Sequence, residues 1–162
     1  MTDERVNAHL ETVTGERDMT PTRDLGHVFV SYTTYDEDQA YENCKAAMTR
    51  LQDKGKTEAA LKAVWEEFSE DSHMIYENVK QGEMTTKLDA WLYAEGRAVG
   101  DVGIVSTDEV CHMLFYISEG DPMYMADAKL ELNEILREEI LAEERAKIKI
   151  KMHKNVCNAI NV

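Results

Sequence analysis

Apolar positions change their spacing several times along the chain, and each change marks an element. The run His27-Val-Phe-Val-Ser-Tyr32 is β-branched and aromatic, bounded by Gly26 and the polar Thr33-Thr-Tyr-Asp36, which predicts a buried strand. From Asp36 the period becomes helical. Ala40, Cys44, Ala47, Met48 and Leu51 share one face, with Asp36 placed to cap the helix and Gly55 to stop it. Thr57 caps a second helix, in which Leu61, Val64, Trp65 and Phe68 recur at i, i+3, i+4 and i+7 before Ser69-Glu-Asp-Ser72 ends it. A short extended piece from Met74 to Val79 leads to a third helix, opened by Thr86, with Leu88, Trp91 and Leu92 inward and Gly96 at its end. Gly103–Thr107 and Cys111–Ile117 read as two strands joined by the turn-like Asp108-Glu-Val110.

The two ends are patterned differently. Residues 1–24 are polar, hold Gly15 and Pro21, and show one short apolar spacing at Val6, Leu10 and Val13, which predicts a weakly ordered arm with a single helical segment. Beyond Asp121-Pro122, Met125, Ala128, Leu132, Ile135, Leu136 and Ile140 repeat as the inward face of a helix reaching about Lys147. Roughly 24 helical residues would span on the order of 36 Å, more than the body of a small domain needs. Part of this helix should therefore dock on the N-terminal arm or on a second copy of the chain. Lys147-Ile-Lys-Ile-Lys-Met152 then alternates with period 2, as a terminal strand whose lysines guard an edge. The element order predicts an α+β fold, a sheet covered by helices, with a long C-terminal helix and a terminal strand.

Composition narrows the function classes. A chain of 162 residues, 43% hydrophobic, can bury one core with extensions. Its net charge of -14 and pI near 4.7 repel phosphate backbones and anionic lipid heads, so neither nucleic acid nor membrane insertion is expected. The basic stretch from Lys147 to Lys154 is too short and too apolar to act as a nucleic-acid arm. Cys44, Cys111 and Cys157 lie far apart and are odd in number, which suggests neither a metal site nor a disulfide framework. The N-terminus lacks the basic and apolar regions of a signal peptide, and no apolar run is long enough to span a membrane. Glycine-rich nucleotide loops, the Gly-x-Ser-x-Gly elbow and the His-Glu-x-x-His zinc motif do not occur.

Several strings, in the same order as these elements, resemble the parvulin-type (PpiC-like) peptidyl-prolyl cis/trans isomerase domains of exported bacterial foldases. They are His27-Val-Phe-Val, Phe68-Ser-Glu-Asp71, Tyr76-Glu-Asn-Val-Lys-Gln-Gly82-Glu-Met84, and Val99-Gly-Asp-Val-Gly-Ile-Val-Ser-Thr107 followed by His112. The resemblance covers about residues 25–120, leaving an arm at 1–24 and an extension at 121–162. It implies a parvulin-like antiparallel sheet and an isomerase, needing no cofactor and no metal, that acts as a foldase on Xaa-Pro bonds of unfolded or exported polypeptides. His27, Asp71, Thr107 and His112 would form the catalytic floor, with Tyr76, Met84, Leu88 and Phe115 lining a slot for the proline ring.

The same residues have plainer roles. Met84 and Leu88 can be ordinary core, Asp71 a helix end, Thr107 a strand former and Cys111 a small buried hydrophobe. The chain also departs from the family pattern. Ser72-His-Met-Ile75 replaces a paired-glycine loop, Leu88 replaces a Phe, and Val110, ill suited to a positive φ, stands where a Gly precedes the His. These departures suit an alternative, a catalytically weak or inactive parvulin-like chaperone that binds peptide, or a dimerisation module acting through its C-terminal helix or strand. The family is extracytoplasmic, which fits an excised part of an exported protein; a chain starting at Met1 would stay in the cytoplasm.

Overall fold

The computed structural model describes the backbone of residues 3–12 and 17–160. In chain order the elements are α1 (Asp3–Thr12), β1 (Pro21–Ser31), α2 (Glu37–Asp53), α3 (Glu58–Phe68), β2 (Ile75–Val79), α4 (Thr86–Leu92), β3 (Val102–Ser106), β4 (Val110–Pro122) and α5 (Met123–Ile160). They form two compact units. One is Met19–Met123, which holds the sheet; the other is built from the two ends of the chain, up to Asp18 and from Tyr124 onward.

In the sheet unit four strands pair in the order β2-β1-β4-β3, all antiparallel. This is the α+β arrangement expected of a parvulin-like domain. The central pair, β1 and β4, sets Phe29 opposite His112 and His27 opposite Leu114. Because side chains alternate along a strand, Val28, Val30, Cys111, Met113 and Phe115 turn to one face. Leu25, His27, Phe29, His112, Leu114 and Tyr116 turn to the other.

Helices α2 and α3 cover the first face, where Ala40, Cys44, Ala47, Leu51 and Leu61 complete a core closed to water. The sequence places both helices by their ends. Asp36 accepts a hydrogen bond from the Gln39 amide at 2.8 Å, and Thr57 accepts one from the Ala60 amide at 3.2 Å. Between them Gly55 and Lys56 take the left-handed conformation, at φ 80 and 55 degrees, that turns the chain back. Helix α4 covers the second face, where Leu88 and Leu92 pack with Leu25, Val79, Leu114 and Tyr116.

Strands β1 and β4 run past their apolar stretches, from Pro21 and to Pro122. Polar pairing holds these ends rather than hydrophobic periodicity. The buried Thr22 donates to the Asp121 carbonyl at 2.9 Å, and Asp24 accepts from the Asn78 amide and the Ser118 hydroxyl.

In the second unit α1 buries Val6 and Leu10 against Ala128 and Leu132 of α5, with Tyr124, Met125 and Leu136 partly covered. The N-terminal arm is thus the docking partner that the first half of α5 needs; Val13 lies outside the described residues. Two expectations give way. Ile135 and Ile140, read as inward, are 45% and 62% exposed: Ile140 lies at the side of the face formed by Ala128 and Leu132, whereas Ile135 shares that face and is left open because the cluster with α1 does not extend to it. The stretch Lys147–Met152, read as a terminal strand, is helical, since α5 continues to Ile160. No Gly or Pro follows Pro122, and extending an existing helix gains a hydrogen bond per residue, whereas a lone strand gains none. Among the described residues no helix is long and apolar enough to cross a membrane.

On the outer strand β3, Gly103 lies against the Trp91 indole, which sits 4.0 Å from the Arg97 guanidinium. A Cβ on Gly103 would overlap that ring, which its cation–π contact holds in place. The Gly103→Ala variant should therefore lose roughly 1–3 kcal/mol of stability, the usual range for overpacking. Urea denaturation followed by Trp fluorescence checks this; an unchanged midpoint would mean that the indole moves aside freely.

Candidate active site

Two imidazoles on the α4 face of the sheet form the centre of the site. His27 and His112 are 3% and 7% exposed, and burying such rings without partners would be costly. One hydrogen bond joins them, with His27 Nε2 2.6 Å from His112 Nδ1, while the buried His27 Nδ1 has no hydrogen-bond partner among the described residues. Phe29 packs edge-on against both rings.

The chain after α3 brings up the third group. Ser69 Oγ accepts from the amides of Phe29 and Asp71, at 3.1 and 3.3 Å, and the Glu70 amide donates to the Phe29 carbonyl at 2.9 Å. This lacing of Ser69 and Glu70 onto β1 fixes Asp71 beside His27. Asp71 Oδ2 is 3.5 Å from His27 Nδ1 and accepts from the Tyr76 hydroxyl at 3.3 Å, while Oδ1 accepts from the His73 amide at 3.2 Å.

These contacts determine the direction of the chain of polarity. The His27–Asp71 separation is longer than a closed hydrogen bond, and the contact is chiefly electrostatic. The Asp71 carboxylate, which faces His27 Nδ1, accepts protons rather than donates them. Nδ1 therefore carries the proton, and Nε2 accepts from Nδ1–H of His112. His112 Nε2 is left with a bare lone pair.

Electrostatics agree with a neutral pair beside an anion. Burial drives the His27 pKa down to about 4, against the opposing pull of Asp71 and the His73 carbonyl. Burial, and next the His27 ring, likewise bring His112 to about 4. Partial burial acts to raise the Asp71 pKa. The His73 and Ser72 amides, His27 and the Tyr76 hydroxyl outweigh it and hold the carboxyl below its ordinary range. Burial, followed by Asp71, raises the phenol of Tyr76.

A shallow open groove of about 560 Å³ adjoins His112. Phe29 and Val110 line it with the imidazole, together with Thr86, Thr107 and the charged Lys87, Asp108 and Glu109. The structure thus brings together His27, His112, Asp71 and Tyr76, and sets Thr107 on the groove wall. Thr107 serves its own turn: its Oγ1 donates to the Val110 carbonyl at 3.1 Å and accepts from the Val110 amide at 3.2 Å. That turn needs no left-handed residue at Val110; among the described non-glycine residues the positive φ angles belong to Lys56 and Asn78.

The expected slot is arranged differently. Leu88, 5% exposed, is core between α4 and the sheet, with Met84 and Tyr76 partly buried against the same cluster. Phe115 falls on the opposite face from His112, as the odd-numbered side of β4 must, and packs under α3. It does not share the groove. Phe29 does share the groove, as period 2 from His27 puts it on the histidine face.

No family model matches the chain, and no curated protein matches it. A solved structure that it resembles is the crystal structure of the peptidylprolyl isomerase PrsA from Bacillus anthracis. Identity is 19%, over 85% of this chain and 56% of that one, with a TM-score of 0.44. The chain spans little more than half the length of that protein.

The lowered histidine pKa values carry a stability signature. In the unfolded chain these rings bind protons below about pH 6.5, whereas the folded chain keeps them neutral to about 4. Between those values the unfolded state holds more protons, so stability is full above the window and falls as pH drops through it. The expected loss is on the order of a few kcal/mol. Urea midpoints at pH 7.5, 6 and 5 should decline, and the decline should flatten in a His27→Leu, His112→Leu double variant; equal slopes in both proteins would contradict the assignment.

Proposed function

We propose that this chain is a parvulin-type peptidyl-prolyl cis/trans isomerase, acting as a foldase on Xaa-Pro bonds of unfolded polypeptides. The observation that carries this is the buried chain Asp71–His27–His112, which ends beside a groove that has Phe29 and Val110 in its wall. Rotation about a peptide bond meets a barrier of about 18–20 kcal/mol because conjugation is lost on the way. Prolyl bonds make this rotation biologically relevant, since both isomers are populated and exchange slowly.

Nothing covalent is required. An isomerase must favour the twisted bond over either planar isomer. In the planar amide the carbonyl oxygen carries extra negative charge, which it sheds as the bond twists. Lodged against the negative end of the Asp71–His27–His112 chain, that oxygen is disfavoured while conjugated and relieved when rotated. Fixed dipoles in a partly dry site act without reorganising, and so add to the effect. Phe29 and Val110 offer the apolar wall for the proline ring.

A second reading, a chaperone module that holds extended segments without isomerising them, draws on Leu88 and Thr107. With Leu88 buried as core and the Thr107 hydroxyl tied into its own turn, the slot is shallower and its floor less free than an active site would use.

Exchange spectroscopy on short Xaa-Pro peptides separates the two. Wild type should accelerate cis/trans exchange, and Asp71→Ala or His112→Ala, folded, should lower that acceleration by about tenfold or more, equivalent to 1.4 kcal/mol of transition-state stabilisation. An unchanged exchange rate with peptide-induced shifts at Phe29 and Val110 would make the chain a holding module.

A further inference from the structure

On the face of the sheet away from the histidines lies a second pocket, between α3, β2 and β4, of about 250 Å³. It is smaller than the roughly 300–1,000 Å³ of a site for a drug-sized ligand, so a single side chain is the natural occupant. Its floor is apolar, made by Leu61, Ile75, Phe115 and Ile117. Its rim is acidic, with Asp24, Glu58 and Glu77.

The charge at this rim is only partly offset from within. Lys56 also borders the pocket, but its Nζ donates to the Gly100 carbonyl at 2.6 Å and acts on Asp101, so its ammonium is committed to the 98–101 turn. Asp24 is used structurally, accepting from the Asn78 amide at 2.8 Å and the Ser118 hydroxyl at 2.6 Å. Glu58 and Glu77 make no ion pair or side-chain hydrogen bond among the described residues. A hydrophobic floor under unpaired carboxylates complements a long side chain that is apolar along its stem and cationic at its tip.

We infer that this pocket is a second binding site, which takes the Arg or Lys side chain of a polypeptide segment, with Glu58 and Glu77 as counter-ions and Leu61, Ile75 and Phe115 under the stem. The partner class is that of the proposed isomerase, a polypeptide, but the site lies on the opposite face from His112 and does not depend on turnover there. Arg is favoured over Lys because its planar fork can bridge two carboxylates. Phe115 contributes to binding, at this pocket rather than in the proline slot.

The test titrates the 15N-labelled full chain with the proline-free peptide N-acetyl-Gly-Arg-Gly-amide and with its citrulline counterpart, which has nearly the same shape and no charge. The Arg peptide should produce saturable amide shifts at Asp24, Ile75, Glu77 and Ile117, and the citrulline peptide none. A Glu58→Gln, Glu77→Gln double variant, changed at exposed side chains, should bind about fivefold or more weakly, as the loss of exposed ion pairs predicts. Absence of saturation, equal shifts with citrulline, unaltered affinity in the double variant, or shifts confined to Phe29, Val110 and His112 would each overturn the proposal. A probe without proline keeps that outcome separate from the isomerase reading, which stands or falls on exchange rates.

Discussion

The antiparallel pairing of β1 with β4 is the constraint on which the rest of the sheet unit depends. Slipping β1 by one residue against β4 would send Val28 and Val30 toward α4 and His27 into the α2–α3 core, away from His112. His27 would then lie in an apolar core and His112 on the other face, so both rings would lose the hydrogen bond that joins them. Hydrophobic pattern and polar satisfaction therefore select the same register. The mutual hydrogen bond of His27 and His112 is also a lock on the sheet, and a structural role for the pair does not compete with a chemical one.

Neutrality of the imidazoles follows from the same burial. A charged pair 2.6 Å apart under α4 would repel itself and lose its hydration. The anion instead sits at the edge, on Asp71, where amides from its own loop support it. Two neutral rings in series then carry its influence inward as oriented dipoles, which is how a carboxylate beside His27 can affect a groove next to His112. Thr107 acts one step further out. By closing the turn between β3 and β4 on its own hydroxyl, it brings Val110 against the groove without the positive φ that a valine resists.

Much of this was legible in the sequence, for identifiable reasons. Asp36, Thr57 and Gly55 are local signals, and local signals survive folding: both caps form as their spacing implies. His27, Asp71 and His112 come from strings spread over about ninety residues, yet the structure brings them into contact. What was lost required pairing information. The resemblance implies Phe115 in the slot, yet three positions along a strand from His112 reverse the face. Phe29 carries no local signal that separates it from the other apolar residues of its strand. In α5 the helical period of Met125, Ala128 and Leu132 located the buried face, but Ile135 and Ile140 could be placed only by knowing that a single short helix, α1, covers it. The lysine-rich alternation near residue 150 looked like a strand because period 2 over six residues carries no information about whether a partner strand exists.

The acidity of the chain connects the two sites without identifying either. A net charge of -14 attracts cationic segments from a distance, but at physiological ionic strength such attraction fades over about 8 Å and cannot choose among them. Choice must come from contact. At the groove it would come from an apolar wall against a negative dipole end, a combination that suits a proline ring and its preceding carbonyl. On the other face it would come from an apolar floor under two unpaired carboxylates. Because the strands alternate, the residues that serve one face are not those that serve the other: His112 and Phe115 stand three apart on β4 and touch different cores. A substitution that alters one set can leave the other intact, and the sheet needs only their shared register to hold both.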